Sequence, residues 1–99
     1  MMTNRMRPIH PGEILREEYL LPLDMSVNAL ARELRVPATR LHEIVKERRA
    51  VSADTALRLA RYFGGDAQSW LNLQSTYELR LAEETRGEII AREIEPRAA

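Results

Sequence analysis

SVNALARELRVPATRLHEIVK, residues 26–46, decides how this chain folds. Ser26 is a good helix N-cap, because its side-chain oxygen can accept from an otherwise orphaned backbone N–H. Val27, Leu30, Ala31 and Leu34 then recur at i, i+3, i+4 and i+7, the spacing of one helix face. Arg35, Val36 and Pro37 interrupt that stripe after about two turns, and a second stripe of Ala38, Leu41, Ile44 and Val45 begins at once. Two short helices joined by three residues cannot lie antiparallel; they cross steeply, as in a helix-turn-helix. Ala31 supplies the small side chain that close crossing needs, and Val36 plugs the turn into the core. With Leu41 and Ile44 anchoring the second helix, Thr39, Arg40, His42, Glu43 and Lys46 fall on its outer side.

Working outward, the same periodicity predicts three more helices. Residues 11–20 open with Pro11, which suits a first helical position, carry Glu13, Glu17 and Glu18, and stop before Pro22. Ser52 caps a helix with the stripe Ala56, Leu59, Ala60 and Phe63, ended by Gly64 and Gly65. Asp66 caps a longer helix to about residue 84, with Trp70, Leu73, Tyr77 and Leu81 on one face. Gly87 is expected to break it, leaving residues 88–95 as a helix turn or short strand. No segment alternates with period two, so the expectation is an all-α fold. The domain plan is a flexible arm over residues 1–10, a helix-turn-helix domain over 11–84 with its motif at 27–46, and a C-terminal tail over 85–99.

Ninety-nine residues make one ordinary domain. There are no cysteines, which excludes disulfides, thiolate metal sites and a cysteine nucleophile. His10 and His42 stand far apart with no carboxylate cluster at metal-ligand spacing, so neither metal nor cofactor is expected. No nucleophile–base set or phosphate loop is present, so the reading is not an enzyme. No apolar run approaches the ~20 residues of a membrane span, and a cytoplasmic location is expected.

The formal net charge is zero, but its distribution is uneven. Between residues 35 and 61, Arg35, Arg40, Lys46, Arg48, Arg49, Arg58 and Arg61 outnumber Glu43, Glu47 and Asp54, while acids outnumber bases on both sides. Phosphate responds to local field rather than whole-chain charge. A polar, partly basic helix face followed by Arg48 and Arg49 is what a major-groove reader requires. The plainer readings are that the stripes are core, Trp70 a core anchor, His42 a surface residue and Glu43 an exposed glutamate.

Residues 14–73 resemble the lambda-repressor-like helix-turn-helix domain of the XRE regulator family. The flanks RPIHPGEILREEYL at 7–20 and WLNLQSTYELR at 70–80 are similar to HigA-type antitoxins. The resemblance implies five helices, with Ala38, Thr39, Arg40 and Glu43 facing base edges. Ser26, Val27, Lys46, Arg48 and Arg49 would hold the DNA backbone. Arg35 occupies a turn position that the family usually gives to Gly, Pro37 replaces its Ser or Thr cap, and Glu47 stands where a helix-ending Gly is common. The implied function is a dimeric DNA-binding antitoxin that neutralises a HigB-like ribonuclease toxin and represses its own operon. The alternatives are a stand-alone XRE regulator without a toxin and a helix bundle that has lost DNA binding. The acidic segment with Glu13, Glu17 and Tyr19 is the expected toxin contact. A second face of the last long helix, Leu71, Leu79 and Ala82, with Ile89 and Ile90 beyond it, is the expected homodimer contact. Such a dimer would demand a palindromic operator in double-stranded DNA.

Overall fold

The computed structural model describes residues 7–98, and among them every regular element is helical. Helix α1 begins as an α-helix over Pro11–Ile14 and continues as a π-helix over Leu15–Leu20. It is followed by α2 (Val27–Leu34), α3 (Ala38–Val45), α4 (Ala53–Phe63) and α5 (Ala67–Glu93). The all-α, five-helix expectation holds.

Helix starts follow the capping chemistry. Ser26 Oγ accepts from the Ala29 N–H at 3.0 Å, Ser52 Oγ from Thr55 at 3.3 Å, and an Asp66 carboxylate oxygen from Ser69 at 2.7 Å. Pro37 has no side-chain acceptor to offer and leaves α3 uncapped in that sense. The ends of α2 and α3 are left-handed. Arg35 sits at φ 59°, ψ 47°, and Glu47 at φ 64°, conformations in which glycine would be at ease. Behind each bend the next N–H turns back, Val36 to the Ala31 carbonyl at 3.1 Å and Arg48 to that of Glu43 at 2.8 Å.

The core is built from the stripes. Leu15, Leu20, Leu30, Ala31, Leu34, Leu41, Ile44, Val45, Val51, Ala56, Leu59 and Trp70 form one buried cluster, with Val36 and Phe63 packed on its margin. Truncating a fully buried leucine such as Leu30 or Leu41 to alanine costs ~2–5 kcal/mol, so this cluster fixes how α3 sits against α2. The π-helical segment of α1 serves the same cluster. Its i→i+5 bonds, such as Leu21 N–H to the Arg16 carbonyl at 3.1 Å, bring Leu15 and Leu20 onto one buried side although they stand five residues apart.

Two expectations need correction. Helix α5 does not stop near residue 84: it runs unbroken through Gly87 to Glu93, so residues 88–93 are neither a strand nor an isolated turn. A glycine in an exposed helix costs only ~1 kcal/mol, and the residues around it are good helix formers. The arm also ends earlier than expected. Residues 1–6 lie outside the described residues, but Arg7 is bound to Glu13 and His10 is only 2% exposed. The His10 ring caps α1, its Nδ1 accepting from the Gly12 N–H at 2.8 Å, and its edge meets Tyr77 of α5 at a centroid distance of 4.8 Å. Among the described residues no helix is long and apolar enough to cross a membrane.

Candidate nucleic-acid interface

Helices α2 and α3 present a continuous outer surface, and two side-chain bonds tie it together. His42 Nε2 lies 2.9 Å from Asn28 Oδ1, joining the outer faces of the two helices. Arg49 Nε donates to Glu43 Oε1 at 2.7 Å, folding the loop after α3 back onto the helix. Thr39, Lys46 and Arg48 are exposed and make no ion pair among the described residues. Ala38 at the first turn of α3 is half-buried and leaves room for close approach. Ser26 is exposed, whereas Val27 is half-buried against the core and contributes backbone to the N-terminus of α2. At that terminus the Ala29 N–H is taken by Ser26 Oγ, and the positive end of the helix dipole faces outward beside it.

Arg40 is placed differently from the expected free base reader. Its Nη1 donates to Asp54 Oδ2 at 2.9 Å and lies 3.4 Å from Thr55 Oγ1, so the side chain lies across to the first turn of α4. Asp54 also accepts from Arg58 Nε at 2.9 Å, and Arg58 Nη1 donates to the Leu34 carbonyl at the end of α2 at 2.8 Å. The Arg58 and Arg40 guanidiniums hold the Asp54 carboxyl below the usual carboxylate range. Glu43, too, is engaged rather than free, through Arg49.

The loop that carries Arg48 and Arg49 is anchored from behind. The Val51 N–H donates to Gln74 Oε1 of α5 at 2.8 Å, and Gln74 Nε2 donates to Glu78 at 2.9 Å. Gln74 is 7% exposed. Sequence reasoning missed it, although its position four residues after Trp70 marks a polar side chain on an otherwise apolar face. Asn28 and Asp54 were missed as well: their partners on α3, His42 and Arg40, lie fourteen positions away, where no local pattern points.

The other expected contacts divide. Glu13 forms a two-pronged pair with Arg7, both bonds 2.8 Å, which with burial opposing it leaves its carboxyl below its ordinary range. Glu17 is exposed and pairs with Arg16 at 3.1 Å. Tyr19 is not a free surface residue: its ring packs on Phe63 at 4.7 Å and Trp70 at 5.4 Å. Arg16 reaches in the other direction, donating to the Val45 carbonyl and to Glu47, and so ties α1 to the end of α3. On α5, Leu71 packs against its own chain's core rather than standing free. Leu79 is 61% and Ile90 45% exposed, Ala82 is exposed, and Ile89 is half-buried. Among the described residues, no group of three or more His, Asp or Glu could hold a metal ion.

This geometry has close parallels. The helix-turn-helix family HTH_3 matches residues 15–70. Virulence-associated protein I of Dichelobacter nodosus is 60% identical over 86 residues, spanning 87% of this chain and 80% of that protein. The antitoxin HigA of Pseudomonas aeruginosa, solved with the higBA promoter, superposes with a TM-score of 0.89 at 54% identity, covering 93% of this chain and all of that one. The antitoxin GraA in complex with its operator superposes with a TM-score of 0.89 at 44% identity, each chain covered in full.

Proposed function

The chain belongs to the helix-turn-helix family HTH_3, and on that footing we propose that it is a sequence-specific DNA-binding antitoxin of HigA type, which represses its own operon and neutralises a ribonuclease toxin encoded beside it. One observation carries the DNA half: the α2–α3 surface belongs to a fold that HigA and GraA share when bound to promoter and operator DNA. Thr39, Glu43 and, once released, Arg40 read base edges from α3. Lys46, Arg48, Arg49 and the α2 terminus at Ser26 and Val27 hold phosphates. A good bidentate base contact discriminates by ~1–3 kcal/mol, and the phosphate contacts add a salt-dependent grip common to all sequences.

The protein acts as a homodimer. Leu79, Ala82, Ile89 and Ile90 lie along the part of α5 beyond its last buried residue, Gln74, and a two-fold contact there sets two copies of α3 ~34 Å apart on successive major-groove turns. The acidic outer face of α1, around Glu13 and Glu17, meets a basic toxin; Tyr19 supports that face from within. The role is binding, not catalysis, in keeping with a cytoplasmic regulator.

The test is binding of the purified protein to the duplex upstream of its own gene and to scrambled DNA over a salt series. Specific, salt-sensitive binding is expected, with Arg48→Ala lowering the magnitude of the salt slope by about one on every sequence. No preference at any salt would overturn the repressor reading. Co-purification with the product of the adjacent reading frame is expected for the antitoxin half; its absence would leave a stand-alone regulator.

A further inference from the structure

The link between α3 and α4 assigns a role to a residue that lies outside α3, at the first turn of α4. We propose that Asp54 is a specificity-determining residue: it holds Arg40 back from DNA and yields it only to a base partner that offers two acceptors. This rests on the reading that α3 enters the major groove.

Three observations support it. Arg40 is the long basic side chain of the first turn of α3, and its Nη1 is bound to Asp54 and faces buried Thr55 rather than standing free. Asp54 is itself fixed, since its Oδ2 also accepts from Arg58, whose Nη1 is committed to the Leu34 carbonyl. The Asp54 carboxylate is exposed and opens on a cleft that it shares with Arg40, Arg49, Ala50 and Ser52, beside the loop expected to hold phosphate. A phosphate that approaches this cleft meets a negative charge as well as two arginines that are both already paired, Arg40 with Asp54 and Arg49 with Glu43.

The consequence is a filter. Breaking the exposed Arg40–Asp54 pair is a small cost, and the discrimination comes instead from the Asp54 charge that faces any phosphate Arg40 would otherwise hold. A guanine that takes the guanidinium through O6 and N7 returns more than that cost, whereas a single phosphate oxygen that must also face the Asp54 charge does not. Asp54 thus weakens wrong complexes more than right ones, which is how a repulsive element creates specificity.

The experiment compares wild type, Asp54→Asn, Asp54→Glu, Arg40→Ala and the Asp54→Asn/Arg40→Ala double variant on the upstream duplex and a scrambled duplex of equal length, over a salt series, with a melting curve for each. Asp54→Asn is expected to tighten scrambled DNA about tenfold and the upstream duplex less than threefold. The salt slope on scrambled DNA should steepen by about one as Arg40 becomes free for phosphate. Asp54→Glu, which keeps the charge, should keep the wild-type ratio, and without Arg40 the Asp54→Asn change should leave the ratio unaltered. Equal tightening on both duplexes, or a ratio that falls as far without Arg40, would overturn the role of Asp54 while leaving DNA reading intact. A wild-type protein with no preference for the upstream duplex would overturn the reading itself, and Asp54's role with it.

Discussion

Gly12 rests directly against the backbone of Ile44: a Cβ built on Gly12 would overlap the Ile44 carbonyl oxygen. The first turn of α1 is thereby seated on the last turn of α3, the helix proposed to read DNA. Since the obstacle is backbone rather than the end of a flexible side chain, Gly12→Ala forces the helices apart. Overpacking a tight contact costs ~1–3 kcal/mol, and the expected loss is at the upper end, about 3 kcal/mol. Urea unfolding at constant m reads it; an unchanged midpoint would show that α1 can lift off α3 freely.

His10 makes the same junction sensitive to pH. Its Nδ1 accepts from the Gly12 N–H, which requires the unprotonated nitrogen, and burial pushes the ring's pKa below its ordinary value of 6.5. A lowered folded-state pKa means the unfolded chain binds the proton more readily. The stability is therefore complete above pH 6.5 and is lost as the pH falls below it toward the depressed value. The urea midpoint should drop between pH 7 and pH 5 in the wild type. His10→Asn keeps a capping acceptor without the titration and should flatten that slope. Parallel profiles for the two proteins would remove His10 as the cause.

Gln74 should matter to DNA binding without touching DNA. Gln74→Leu leaves the Val51 N–H buried without an acceptor, a cost of ~1–3 kcal/mol. The loop with Arg48 and Arg49 loses its anchor to α5, so scrambled and upstream duplexes should both bind more weakly. Amide exchange at Val51 should accelerate relative to the core amides of α3. Normal protection at Val51 in the variant would refute the anchoring role.

Arg35 holds a left-handed bend that carries a Cβ penalty for any residue but glycine. Arg35→Gly should stabilise the fold by about 1 kcal/mol, or roughly 4–8 °C in melting temperature for a domain of this size. A melting temperature that falls would mean that the arginine side chain supports the turn.

Much of this architecture is legible in the sequence, for a physical reason. The apolar stripes of α2, α3 and α4 report burial directly, and Ser26, Ser52 and Asp66 cap the helices that follow them. Legibility fails where burial stops providing the signal. Beyond Gln74, α5 buries no residue, so no stripe marks its continuation to Glu93. It also fails where polar groups pair at long range: periodicity places Arg40 and Glu43 on the outer side of α3 but is blind to Asp54 and Arg49, which engage them. Tyr19 and Leu71 look like surface on a helical wheel and are drawn inward by aromatic and core neighbours from other helices.

The π-helical turn of α1 gives this domain a tolerance of chain length. A helix adopts i→i+5 bonding when it carries one residue more than its buried register needs. The surplus lies on the exposed side, at Glu17 and Glu18, while Leu15 and Leu20 remain in the core. Excising Glu18 would place those two leucines four apart, the ordinary α-helical repeat, with no other element asked to move. The first helix can thus lose a residue without moving the two leucines that anchor it in the core. Loss of one residue between 15 and 20 would change the pitch of this helix and leave its buried leucines in register.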